Sequence, residues 1–161
     1  MKVIFLSYYG VTESLLDMTT SFAIFRRLKK ITKKTDAKVV LFIKNKYIRE
    51  QISAILKSND IKVIIDRYAA YIDINVDIQE FLNHHPEIKS MVIINTDAFV
   101  DLSFMKYLVK TDSGRHNQLN NIGFWEQNLS RSKIRQVIQI LNIPYKNPMT
   151  KQIKNNLRQR F

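Results

Sequence analysis

Four stretches of the chain are nearly unbroken apolar runs: VIFLSYY (3–9), AKVVLFI (37–43), IKVIID (61–66) and MVIINTD (91–97). Such runs predict strands buried on both faces. YLVKTD (107–112) is a shorter candidate of the same kind. Between them the spacing changes from continuous to three or four. Phe22, Phe25, Leu28 and Ile31 mark a helix over 22–34, with Thr19, Thr20 and Ser21 as candidate caps. Tyr47, Ile48, Ile52, Ile55 and Leu56 mark a second helix, ending near Ser58–Asp60. Ile78, Phe81 and Leu82 mark a third over 77–84, stopped by Pro86. Ile134, Val137, Ile138 and Leu141 mark a fourth over 131–141, with Pro144 and Pro148 beyond it.

Strands alternating with helices predict an α/β domain: a three-layer sandwich with a mainly parallel central sheet. The domain is expected to span 1–145, followed by a basic tail or short helix over 146–161. The polar stretch 112–128 reads as a loop, anchored by Phe124 and Trp125. In such sheets ligands bind beyond the carboxyl ends of the strands. That directs attention to Ser7–Gly10, Phe42–Lys44, Asp66–Arg67 and Asn95–Asp97.

Composition narrows the chemistry. The 161 residues suit one domain, and 45% hydrophobic content supports a real core. Cysteine is absent, which excludes disulfides, thiolate metal sites and a cysteine nucleophile within this sequence. No apolar run is long enough to span a bilayer, and Met1-Lys2 leads directly into the first strand. The expectation is a soluble cytoplasmic protein. The net charge is +12, unevenly placed: eight of the 26 basic residues follow Glu126, and no acid does. A second basic block is RRLKKITKK, residues 26–34. Such asymmetry points to an anionic partner: nucleic acid, an acidic protein or a membrane surface.

The strand ends carry a resemblance. KVIFLSYYGV, AKVVLFIKNK, EFLNHHPEI, SMVIINTD and VKTD occur in an order and spacing that resembles the small haloacid-dehalogenase-like domains of the phosphatase superfamily. The resemblance covers most of residues 1–141 and implies their Rossmann-like fold. It also implies what is missing. The family's nucleophilic aspartate falls at Ser7 and its acid/base aspartate at Tyr9. Its phosphate-binding serine or threonine falls at Phe42 or Ile43, and its basic residue near Ile74 or Asn75. Lys44 or Arg67 are the candidate substitutes for that cation. The magnesium-binding acidic pair falls at Asn95 and Thr96, leaving only Asp97 and nearby Asp101. A serine without a base is a poor nucleophile, and a tyrosine of ordinary pKa is a poor base near pH 7. The resemblance therefore implies a pseudophosphatase with no catalytic set, no cofactor and no metal site.

Binding is then the expected role. Arg26, Lys29, Lys30 and Lys33 recur three or four apart, which predicts one basic helix face opposite the apolar one. Arg131, Lys133 and Arg135, with Lys151, Lys154, Arg158 and Arg160, extend the candidate phosphate-binding set. Phe124 and Trp125 beside these cations read either as base-stacking aromatics or as a loop anchor. The alternative role is protein docking on an aromatic mouth of Tyr8, Tyr9 and Phe42. Ile153, Leu157 and Phe161 form a thin apolar stripe suited to a partner protein or a homodimer. A third reading is a divergent magnesium-dependent phosphatase using Asp97 and Asp101. His84 and His85 are adjacent on a helix and point apart, so they read as surface residues, and His116 sits in the polar loop.

Overall fold

The computed structural model describes residues 1–7, 21–65, 73–95, 100–111 and 129–146. Five strands form one sheet: β1 (Lys2–Ser7), β2 (Ala37–Phe42), β3 (Val63–Ile64), β4 (Ser90–Asn95) and β5 (Leu108–Lys110). Their order is β3-β2-β1-β4-β5, and every pairing is parallel. All six residues of β4 are buried. That is why the central strands read as unbroken apolar runs: neither face meets water. The order reverses between β1 and β4, giving a Rossmann-like sheet with its switch point there.

Among the described residues four α-helices connect or flank the strands: α1 (Ser21–Thr35), α2 (Lys46–Ser58), α3 (Ile74–His84) and α4 (Arg131–Leu141). Register decides which face each one covers. Phe5 lies opposite Val40 and Ile93, so these side chains share one face. On that face Phe5 meets Phe42, with ring centres 5.1 Å apart, and Phe81 of α3 edge-on at 5.4 Å. Lys2 pairs with Ser90, and both side chains point to the other face. There Ser90 Oγ donates to the carbonyl of Leu141 at 2.7 Å, and Lys2 Nζ donates to Asn142 Oδ1 at 3.0 Å. Thus α4 covers the face opposite α3, and α1 packs beside α4 and against β2. Helices on both faces make three layers around one core.

Several boundaries differ from the pattern-based expectation, two of them by the most. The third strand pairs over Val63–Ile64 only, although the apolar run extends over 61–66. Helix α3 begins three residues before the expected Asp77. Its signal is Asp73, whose Oδ1 accepts from the backbone N–H groups of Asn75 (2.7 Å) and Val76 (3.3 Å). The β-branched pair Ile74 and Val76 hides this start in a propensity reading. Asp73→Ala should cost about 1 kcal/mol. A urea titration should show it as a lower midpoint with an unchanged slope; an unchanged midpoint would mean that the cap contributes nothing.

The chain past α4 returns to the sheet, where the Tyr145 N–H donates to the carbonyl of Lys89 at 2.7 Å. Its ring meets Tyr107 edge-on at 5.5 Å. Its hydroxyl is buried and has no hydrogen-bond partner among the described residues. Burial, helped by Tyr107, pushes this phenol up from 10.0 to about 12. The folded chain therefore keeps it neutral where the unfolded chain ionises it. Its stabilising contribution is whole below pH 10 and is lost as pH rises toward about 12. Tyr145→Phe should leave the urea midpoint at pH 7 unchanged or raised and should flatten its fall across that alkaline window. An equally steep fall would assign the alkaline sensitivity elsewhere.

Candidate nucleic-acid interface

The ends of the strands carry little chemistry among the described residues. The backbone of Ser7 closes β1 in register with Phe42. Tyr8, Tyr9, Asp66, Arg67, Thr96, Asp97, His116, Phe124 and Trp125 lie outside the described residues. Phe42 is 8% exposed and stacks toward Phe5. Its ring packs with the core, because residue 42 shares the face of Phe5 that α3 covers. Asn95, the last residue of β4, is buried, and its carbonyl accepts from the N–H of Thr111 at 2.7 Å. Asp101 is exposed, and its N–H donates to Asn75 Oδ1 at 2.8 Å, which ties the residues before β5 to the start of α3. The two described histidines diverge, His84 closing α3 and His85 lying just past it in non-helical backbone. His84 Nδ1 lies 2.8 Å from the carbonyl of Glu80, whereas His85 stacks on Phe81 and meets Glu87 at 3.1 Å. Glu87 is held below the usual carboxylate range by its own backbone N–H first, then by His85.

The helices carry the charge. Helix α1 holds Arg26, Arg27, Lys29, Lys30, Lys33 and Lys34 and no acid. Its core side is Ile24, Phe25, Leu28 and Ile31, all buried. Arg26, Lys30 and Lys33 are exposed on the opposite side, and Lys34 is exposed beside them. Lys29 departs from the expected face. It is half-buried on the flank, and its Nζ lies 2.8 Å from Asp60 Oδ2. That contact, with Lys33 adding to it, holds the Asp60 carboxyl low.

Helix α4 also lacks acids. Arg131 and Arg135 are four apart and exposed, forming one stripe. Lys133, two positions from each, falls on the other flank and is half-buried. Because α1 and α4 lie side by side on one face of the sheet, their cations share a layer. Lys146 is exposed at the end of the described chain, and Lys151, Lys154, Arg158 and Arg160 lie beyond it.

Three further lysines escaped the sequence reading. Lys38, Lys57 and Lys62 line an open cleft of about 440 Å³ beside β3. Lys57 ends α2 and Lys62 immediately precedes β3, and the pairing of β2 with β3 brings Lys38 to them. Among the described residues no helix is long and apolar enough to cross a membrane. No family model, curated protein or solved structure matches the chain, and the fold shown is the parallel five-strand α/β sheet itself.

Proposed function

We propose that this chain is a non-enzymatic binding protein that holds nucleic acid through the joint outer face of α1 and α4. One observation carries the reading: two adjacent helices on the same face of the sheet contain nine basic residues and no acid. A solvated helix face ordinarily mixes both signs, which keeps a domain soluble without a strong field. A single-sign layer attracts a polyanion and releases its counterions. The pseudophosphatase part of the reading rests on Ser7 and Tyr9, which stand where the resembling family has its two aspartates. Asn95 adds an amide, not a carboxylate, at the end of β4.

The test is binding of the full chain to labelled single- and double-stranded DNA and RNA across salt concentrations. Affinity should fall linearly on logarithmic axes, with a slope set by the number of phosphates contacted. Absence of binding at low salt for all four probes would overturn the proposal.

A further inference from the structure

A second concentration of lysines lies at the opposite ends of the strands. Helices α1 and α2 stop at Thr35 and Ser58, and each turn into the next strand uses an aspartate in left-handed backbone, Asp36 (φ 52°) and Asp60 (φ 61°). Aspartate tolerates that region better than most residues do. The turns feed β2 and β3, where the N–H of Val39 donates to the carbonyl of Lys62 at 2.8 Å. Val39 pairs with Val63, so Lys38 and Lys62 stand level on neighbouring strands. Lys57 comes from the last turn of α2. Asp60, Ile61, Val63 and Ile64 complete the lining, and Ile64 shares the face of Lys38 and Lys62.

The charges do not cancel. Lys62 pairs with Asp36 at 3.0 Å, and Lys29 reaches Asp60 at 2.8 Å. Lys38 and Lys57 form no ion pair among the described residues. Two helix ends add roughly half a negative charge each, and Lys57 in the last turn of α2 offsets one of them. With Lys33 close enough to act on Asp60, five lysines face two aspartates and two helix ends, which leaves the rim positive.

The apolar part of the lining distinguishes the ligand. A duplex presents phosphates outward and keeps its bases stacked inside. A single strand offers phosphates together with exposed sugar and base surfaces. We infer that this cleft is a subsite for a single strand: its lysines hold backbone phosphates while a sugar or base lies on Ile64, which shares the face of Lys38 and Lys62. Lys33 and Lys29 join it to the outer face of α1, so the strand runs from that face around the sheet edge. The inference rests on the nucleic-acid reading of α1 and α4 and adds a place and a strand type.

The experiment uses the full chain and fluorescein-labelled single-stranded and duplex oligonucleotides. The cleft variant is Lys38→Gln/Lys57→Gln/Lys62→Gln, and the face variant is Arg26→Gln/Lys30→Gln/Lys33→Gln, both checked for folding by circular dichroism. The cleft variant should bind single strands about tenfold more weakly, with a salt slope reduced by about 2. Its duplex affinity should stay within about twofold of the unaltered chain. If the face variant loses binding while the cleft variant binds single strands normally, the cleft inference fails and the wider reading stands. Equal losses on both probes overturn the single-strand assignment. If the unaltered chain binds neither probe, both readings fall. A second measurement needs no variant: a bound single strand should protect Lys57 and Lys62 from acetylation, read by mass spectrometry. Unchanged acetylation at both lysines would also overturn the inference.

Discussion

Phe81→Ala is expected to cost about 3–5 kcal/mol, a large part of the stability of a domain this size. Phe81 is fully buried. It meets Phe5 edge-on at 5.4 Å, and Phe5 in turn meets Phe42 at 5.1 Å. His85 stacks on Phe81 at 4.3 Å. Truncation therefore opens a cavity between α3 and the centre of the sheet, and it removes the ring contacts along with the buried area. Phe81→Leu refills most of the volume and should cost less than about 1.5 kcal/mol. Urea denaturation followed by circular dichroism separates the two. A cost below about 1 kcal/mol for the alanine variant would show that α3 does not depend on this contact.

The second large effect is on binding. Arg26→Glu/Lys30→Glu/Lys33→Glu should abolish nucleic-acid binding at physiological salt and reduce the salt slope by about 3. All three side chains are exposed on the side of α1 away from the core, so folding should be nearly unaffected. Lys29→Gln is the informative contrast. Lys29 already faces Asp60, so its loss should weaken binding far less than the loss of Lys30. Fluorescence anisotropy against salt measures both. An unchanged slope in the triple variant would remove α1 from the interface.

The architecture was largely legible because most of its elements are governed by burial. The runs over 37–43 and 91–97 became β2 and β4 because both faces of each strand are covered. The helix over 131–141 was found to the residue, since Ile134, Val137 and Leu141 repeat every three or four positions up to a clear end. The apolar run over 61–66 exceeds the paired strand because Ile61 and Ile65 lie outside the pairing. Ile61 is buried in the core, whereas Ile65 is exposed past the last strand residue. The candidate site was less legible, because spacing on one helix does not tell which flank meets a neighbour. Lys29 fits the repeat of Arg26 and Lys33, yet Asp60, thirty-one positions away, draws it to the flank. Phe42 sits at a strand end where ligand contacts are expected, yet strand alternation turns it under α3. The cleft is not legible from spacing, since Lys38 reaches Lys57 and Lys62 only through the pairing of β2 with β3.

The position of β1 at the middle of the sheet has a consequence for synthesis on the ribosome. One side of β1 pairs with β2, which follows soon after it in the sequence. Its other side pairs with β4, which begins at Ser90. At about 5–20 residues per second, several seconds separate the emergence of these two partners. During that interval the nascent chain carries an apolar strand with one unpaired edge, open to pairing with another chain. The concentration of ribosomes on one message, and the chaperones that attend them, should therefore affect the yield of this protein more than the stability of its finished fold would suggest.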